Sequence, residues 1–280
     1  IMGKKIFLYC ILLLSAGCSK EALNTKLLHA VHEDNYELVK QCIEDGADVN
    51  YQKGNFEISE VRWPETPIVV ALVQNHNEKI VRLLYDHGAD PGANSSHKHN
   101  LLFYVKDPSL CEEWIQKNHL NPNQLTIDNA TPLIKLAEYP EVIKVLLENH
   151  ADPNGSESMN LTPLINAIIK QQFSTFELLL NAGANIEQKS AATQCSPVHF
   201  AAEQEDSRYL ETLISKGCQV NVQDLWGSTP LHYAFINDLP ENVDILLEAG
   251  ADPTIRDKDN YLYNEEEIPS EPIKNMVDFL

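Results

Sequence analysis

Glycine is scarce, with 11 in 280 residues, which excludes a collagen-like chain, and an apolar share of 43% excludes a wholly disordered one. Positive charge is also short: 21 Lys and Arg stand against 41 Asp and Glu, for a formal charge of −20. Such a surface repels nucleic-acid phosphates and anionic lipid headgroups and favours a basic protein partner. The same charge would also keep an exported protein soluble. There are six cysteines, none in a CxxC or zinc-like spacing. No GxSxG elbow, P-loop, GxGxxG or HExxH occurs. Carboxylates are scattered too widely to single out a catalytic pair. The expectation is a chain with no catalytic residue, no cofactor and no metal site. Its apolar content is ample for a packed core.

The start of the chain has its own pattern. Lys4 and Lys5 precede an apolar run from Ile6 to Leu14, then the small residues Ser15, Ala16 and Gly17, then Cys18. Ile6 to Gly17 is 12 residues, about 18 Å of helix against a hydrocarbon core of about 30 Å, too short to span. Basic, apolar and small-residue regions in this order read as a secretory signal over residues 1–17. Leu14-Ser15-Ala16-Gly17-Cys18 resembles a bacterial lipobox, with serine at Ser15 where that family prefers leucine. The resemblance implies a lipidated Cys18 followed by a linker to residue 22. With Ser19 next, it implies an outer-membrane lipoprotein facing the periplasm. An ordinary signal peptide with a cysteine nearby is the alternative.

The body of the chain repeats. Gly46-Ala47-Asp48, Gly88-Ala89-Asp90, His150-Ala151-Asp152, Gly183-Ala184-Asn185 and Gly250-Ala251-Asp252 recur, with looser copies at His119 and Gly217; their spacings are 42, 31, 31, 33, 34 and 33. A second phrase keeps register with the first: Thr66-Pro67-Ile68, Thr131-Pro132-Leu133, Thr162-Pro163-Leu164, Ser196-Pro197-Val198 and Thr229-Pro230-Leu231. Thr25 and Asn100 open degenerate copies. A Thr or Ser hydroxyl caps a helix start, and proline suits the first helical position. Leucine and alanine at helical spacing then face the next repeat. A second apolar helix follows and ends on glycine, with His119 and His150 as exceptions.

Thr229-Pro230-Leu231-His232-Tyr233-Ala234 matches the ankyrin signature TPLHxA, and Ser196 to Ala201 nearly does. The chain resembles the ankyrin-repeat family over residues 23–263. The resemblance implies an all-α solenoid of about seven helix-turn-helix repeats with β-hairpin-like finger loops. It also gives His199 and His232 a structural role, bonding backbone between repeats. Residues 264–280, with Ile273, Met276, Val277 and Leu280 on one helical face, read as a C-terminal capping helix.

Proteins of this family bind partners with the fingers and the inner face of the first helices. Exposed aromatics supply most hot spots at such surfaces. The long first finger, where the period swells to 42, carries Phe56 and Trp63; these either present themselves to a partner or fold back on the first repeat. The finger at Asp224 places Leu225 and Trp226 where polar residues are usual, an anchor unless the finger tilts to bury Trp226. Tyr233, Phe200 and Tyr104 are inner-helix candidates. His97 and His99 lack a third metal ligand, and His29 and His32 lack a metal-binding frame. Cys42, Cys111, Cys195 and Cys218 read as buried thiols; Cys195–Cys218 is the pairing to expect should any form. The N-x-[ST] sequences at Asn94, Asn129, Asn154 and Asn160 read as finger and cap residues. The expected function is a monomeric, membrane-anchored lipoprotein that binds a basic protein. Ankyrin-repeat lipoproteins of this type include immunity proteins that neutralise toxic effectors such as phospholipases. The alternative is a scaffold or stress-protection protein holding a resident envelope protein.

Overall fold

The computed structural model describes residues 19–58, 61–93, 96, 99–127, 129–155 and 161–259. Cys18 and the segment 264–280 lie outside the described residues. These residues fall in two compact units, one running to Leu136 with Lys144–Ala151, the other comprising Ala137–Ile143 with the chain from Asp152 onward.

The first unit opens with α1 (Lys20–His32) and α2 (Tyr36–Glu44), packed on one another. The helix begins earlier than the sequence suggests. Ser19 accepts the Ala22 N–H at 3.3 Å and Glu21 lies in the first turn, so most of the expected 18–22 linker is helical. The long finger is an antiparallel hairpin, β1 (Asn55–Ile58) on β2 (Val61–Pro64), with Phe56 opposite Trp63. After it, α3 (Pro67–Val69) continues into a π-turn (Val70–Gln74) and is followed by α4 (Glu78–Asp86). The degenerate third copy, lacking Thr-Pro, makes only a 3₁₀ turn (Leu101–Phe103), with the Asn100 side chain accepting the Leu102 N–H at 3.0 Å. Then come α5 (Pro108–Gln116) and α6 (Pro132–Lys135). The two units divide within α7 (Pro140–Glu148).

The second unit stacks three helix pairs: α8 (Pro163–Ile169) with α9 (Phe173–Asn181), α10 (Pro197–Ala202) with α11 (Arg208–Ser215), and α12 (Pro230–Ile236) with α13 (Pro240–Glu248). Successive first helices pack side by side. Leu164, Val198 and Leu231, and behind them Ala167, Ala201 and Ala234, are fully buried between the layers. Alanine lets the helices approach, and the leucine and valine fill the space between them.

The caps differ from copy to copy. Thr162 accepts the Ile165 N–H at 3.2 Å, as its position predicts, but the hydroxyls of Thr66 and Thr131 have no partner among the described residues. At Ser196 and Thr229 histidine completes the cap. His199 Nδ1 accepts the Ser196 N–H at 3.1 Å and Nε2 bonds the Ser228 carbonyl at 3.2 Å; His232 Nδ1 accepts the Thr229 N–H at 3.1 Å. These histidines are structural.

Asparagines bracket the finger bases within each unit. In the first, Asn50 donates to the Gly88 carbonyl at 2.9 Å and accepts the Asp90 N–H at 2.8 Å. Its counterpart Asn123 donates to the His150 carbonyl at 2.9 Å. In the second, Asn154 accepts the Asn185 N–H at 2.7 Å, and Asn221 bonds both Gly250 and Asp252, at 3.1 and 2.7 Å. Each side chain satisfies backbone groups that no helix serves and ties the base of one finger to the next. His119 and His150 hold the left-handed backbone that glycine holds elsewhere, with φ of 56° and 66°.

Candidate binding surface

The turn from Asp224 to Ser228 is built around one buried carboxylate. Asp224 Oδ1 accepts the N–H groups of Trp226 and Ser228 at 2.8 and 2.9 Å, and Oδ2 accepts the Tyr233 hydroxyl at 2.6 Å. The Cys195 thiol also leans on Oδ2, at 3.8 Å, and lies 3.5 Å from the Tyr233 oxygen. Buried polar oxygens need donors, and here donors meet both of them.

The turn is also held from both sides. The Leu225 N–H donates to the Thr193 carbonyl of the preceding finger at 2.9 Å, and the Trp226 carbonyl accepts the Lys258 N–H of the following one at 2.9 Å. Gly227 takes φ of +84°, and a Cβ there would meet the Lys258 nitrogen at 2.9 Å, so only glycine permits this approach. Leu225 is 46% exposed and Trp226 is half-buried.

The other candidates fall elsewhere. Trp63 is 0% exposed and Tyr233 1%, which corrects the expectation that they face a partner. Trp63 packs forward on His99 and Tyr104 of the third copy, with ring centroids at 6.3 and 5.4 Å, rather than back on the first repeat. Tyr233 turns inward because Asp224 needs its hydroxyl. Phe200 is buried as well, and Tyr104 is half-buried. The side chain of Phe56 and the residue His97 lie outside the described residues. His99 stacks on Phe103 at 5.1 Å and bonds the Tyr104 oxygen at 3.0 Å.

Sequence reasoning passed over one pair. Leu125 and Ile127, in the finger before Thr131, are 44% and 53% exposed. Their signal was the one used for Leu225, apolar side chains at a finger tip, but without an aromatic to draw attention to it.

Among the described residues the buried thiols and His199 are held in their neutral forms. Cys42, Cys111, Cys195 and Cys218 are free, buried thiols. Burial pushes Cys195 up to about 12 against the pull of its hydrogen bonds from Thr193 and Tyr233, so it stays protonated. Burial lowers His199 to about 4; both its ring nitrogens are engaged, and it is neutral at pH 7. Among the described residues no three His, Cys, Asp or Glu side chains stand close enough to hold a metal ion. No helix among them is long and apolar enough to cross a membrane.

Comparison with known families places this geometry. The family described as ankyrin repeats (3 copies) matches residues 99–190 and 188–257. The chain belongs to the ankyrin-repeat family. Among curated proteins, this ankyrin chain is similar to Protein PhlB of Serratia liquefaciens, 36% identical over 93 residues, or 33% of this chain and 40% of that protein. It is similar also to ADP-ribosylation factor GTPase-activating protein AGD4 of Arabidopsis thaliana, 38% identical over 71 residues, 25% of this chain and 9% of the relative. Human ankyrin repeat and SOCS box protein 6 is 32% identical over 100 residues, 33% of this chain and 24% of its own. The chain thus spans well under half the length of these relatives. Ankyrin repeats are binding modules for proteins and are typically non-catalytic, in keeping with a surface of clamped turns and inert buried thiols.

Proposed function

We propose that this ankyrin protein is a non-catalytic lipoprotein of the bacterial envelope, tethered through lipid on Cys18, that captures and neutralises a basic toxic effector such as a phospholipase. The observation that carries it is the clamped Asp224–Ser228 turn. Its backbone is tied to both neighbouring fingers, so presenting Leu225 and Trp226 to a partner costs little backbone ordering. The charge supports a basic partner. The formal value is −20, and the only charges within residues 1–17 are Lys4 and Lys5, so the remainder is more acidic still. Complementary charge raises the association rate and makes it sensitive to salt. The similarity to a Serratia protein supports the bacterial setting, and the lipobox-like run at Leu14–Cys18 supports the anchor.

The test uses residues 19–280 as bait against envelope extract and the products of neighbouring genes, at low and high salt. One stoichiometric partner, released by salt and toxic or lipolytic by itself, is the expected outcome. A resident envelope protein without toxicity would transfer the function to scaffolding. A separate labelling experiment addresses the anchor: radiolabelled fatty acid enters the wild-type chain and not Cys18→Ser. Equal labelling of both would remove the lipoprotein reading.

A further inference from the structure

Positions 169, 203 and 236 occupy the same place in three successive repeats of the second unit, 34 and 33 residues apart, at the ends of first helices that pack side by side. Two of them are isoleucines. The middle one is Glu203, and all three are half-buried. Glu203 is the C-terminal cap of α10, where the free helix carbonyls already present negative charge and a carboxylate is disfavoured.

The other carboxylates described in this unit are either exposed or partnered. Asp206 is held by the Arg208 guanidinium at 2.9 and 2.6 Å, and Asp224 accepts two N–H groups and the Tyr233 hydroxyl. Glu203 has neither a hydrogen bond to its carboxylate nor an ion pair among the described residues. Burial alone shifts it, up to about 7. The side chain is half-buried and not sealed in the core. A half-buried acid between two isoleucine positions, on the negative end of a helix and unpaired, is a poor arrangement for stability. Such arrangements persist where function needs them.

We propose that Glu203 receives a lysine or arginine side chain of the bound protein, the aliphatic stem lying along Ile169 and Ile236 and the cationic head pairing with the carboxylate. The stem suits apolar flanks, and the head supplies the charge that α10 lacks. This rests on the reading of the chain as a binder of a basic protein, and it names one residue that such a partner must bring.

The probe is Nα-acetyl-arginine methylamide, titrated into the isotope-labelled full chain, with Nα-acetyl-norleucine methylamide as the uncharged control. The expected result is saturable shifts of the Ile169 and Ile236 methyl signals and the Glu203 carboxyl carbon with the arginine probe only. Glu203→Gln weakens the effect at least about tenfold, the loss of one charge-assisted contact, while Glu211→Gln, an equal charge change on the exposed face of α11, leaves it intact. Glu203→Gln also raises Tm at pH 8, by about 2–4 °C. Absence of shifts up to the solubility limit of the probe, shifts that survive Glu203→Gln, or a lowered Tm in that variant would each overturn the proposal. No effector takes part, so the result is independent of bait capture. Failure to capture a toxic partner would remove the neutraliser reading and leave an arginine-responsive Glu203 standing.

Discussion

Two fingers of this protein carry a tryptophan, and they use it in opposite ways. The hairpin of residues 55–64 is long and returns on itself. Its Trp63 is wholly buried against Tyr104 and His99. The turn of residues 224–228 is short and clamped by both neighbouring fingers; Leu225 projects and Trp226 is only half covered. Trp63 and Trp226 stand at the same register, three residues before Thr66 and Thr229, so position along the finger does not separate them. Trp63 meets aromatic rings of another copy, and burial of a large aromatic is favourable, whereas the turn at Leu225 and Trp226 is held by backbone bonds to both neighbouring fingers. An aromatic at this register is therefore weak evidence of a binding site until its neighbours are known.

The largest test of this contrast is Trp63→Ala, which should cost about 3–5 kcal/mol of stability by denaturant unfolding. Its indole N–H has no partner among the described residues, so packing alone is lost. A cost under about 1 kcal/mol would mean that the hairpin is not seated, and the contrast would collapse. Trp226→Ala should do the reverse, weakening partner binding by about 2 kcal/mol with the unfolding midpoint nearly unchanged. If instead the fold weakens and affinity holds, Trp226 belongs with Trp63 and the anchor is Leu225 alone.

A smaller effect is expected of Tyr233→Phe. Asp224 keeps its two backbone donors but loses the hydroxyl at 2.6 Å, at about 1–2 kcal/mol. Hydrogen exchange at the Trp226 and Ser228 amides should quicken. Unchanged exchange would show that the clamps on either side suffice without Tyr233.

The smallest effect is a near-cancellation with pH, confined to the repeat that carries the short finger. His199 lies at about 4 when folded against about 6.5 unfolded, so its contribution is complete above 6.5 and is lost as pH falls toward 4. Glu203 lies at about 7 when folded against about 4.3 unfolded, so its contribution is complete at low pH and is lost as pH rises through 7. Between about 6.5 and 4.5 the two slopes oppose each other, and stability should change little. Glu203→Gln removes one slope, so that variant should lose stability on acidification across the same window, read by urea midpoints at several pH values. A flat profile in the variant would mean that His199 accepts a proton without strain.

Most of the fold was legible. The spacing of Gly183, Gly217 and Gly250, the Thr-Pro and Ser-Pro starts, and Leu-Ala at helical intervals are all local signals, and each became a helix pair. His199 bonds backbone of the next repeat as expected, and His232 bonds the backbone N–H of its own cap. Less legible was the start of α1, because Ser19 supplied a cap where Thr25 was expected to open the repeat. The exposure of site residues was least legible. Tyr233 sits at an inner-helix position by register, yet Asp224, nine residues earlier, draws it inward, and register does not encode that demand. Leu125 and Ile127 went unnoticed because two aliphatics in a polar finger give a faint signal.

The sequence by itself determined the repeat, its period and the helix starts, since each depends on residues within one turn of one another. It also determined the net acidity, a sum that no folding changes. Only the tertiary structure decided which apolar residues remain at the surface and which carboxylates find partners. Those outcomes depend on groups brought together from different repeats: Trp63 with Tyr104, Leu225 with Thr193, Gly227 with Lys258. Distance along the chain says nothing of such meetings until packing has set the distance in space.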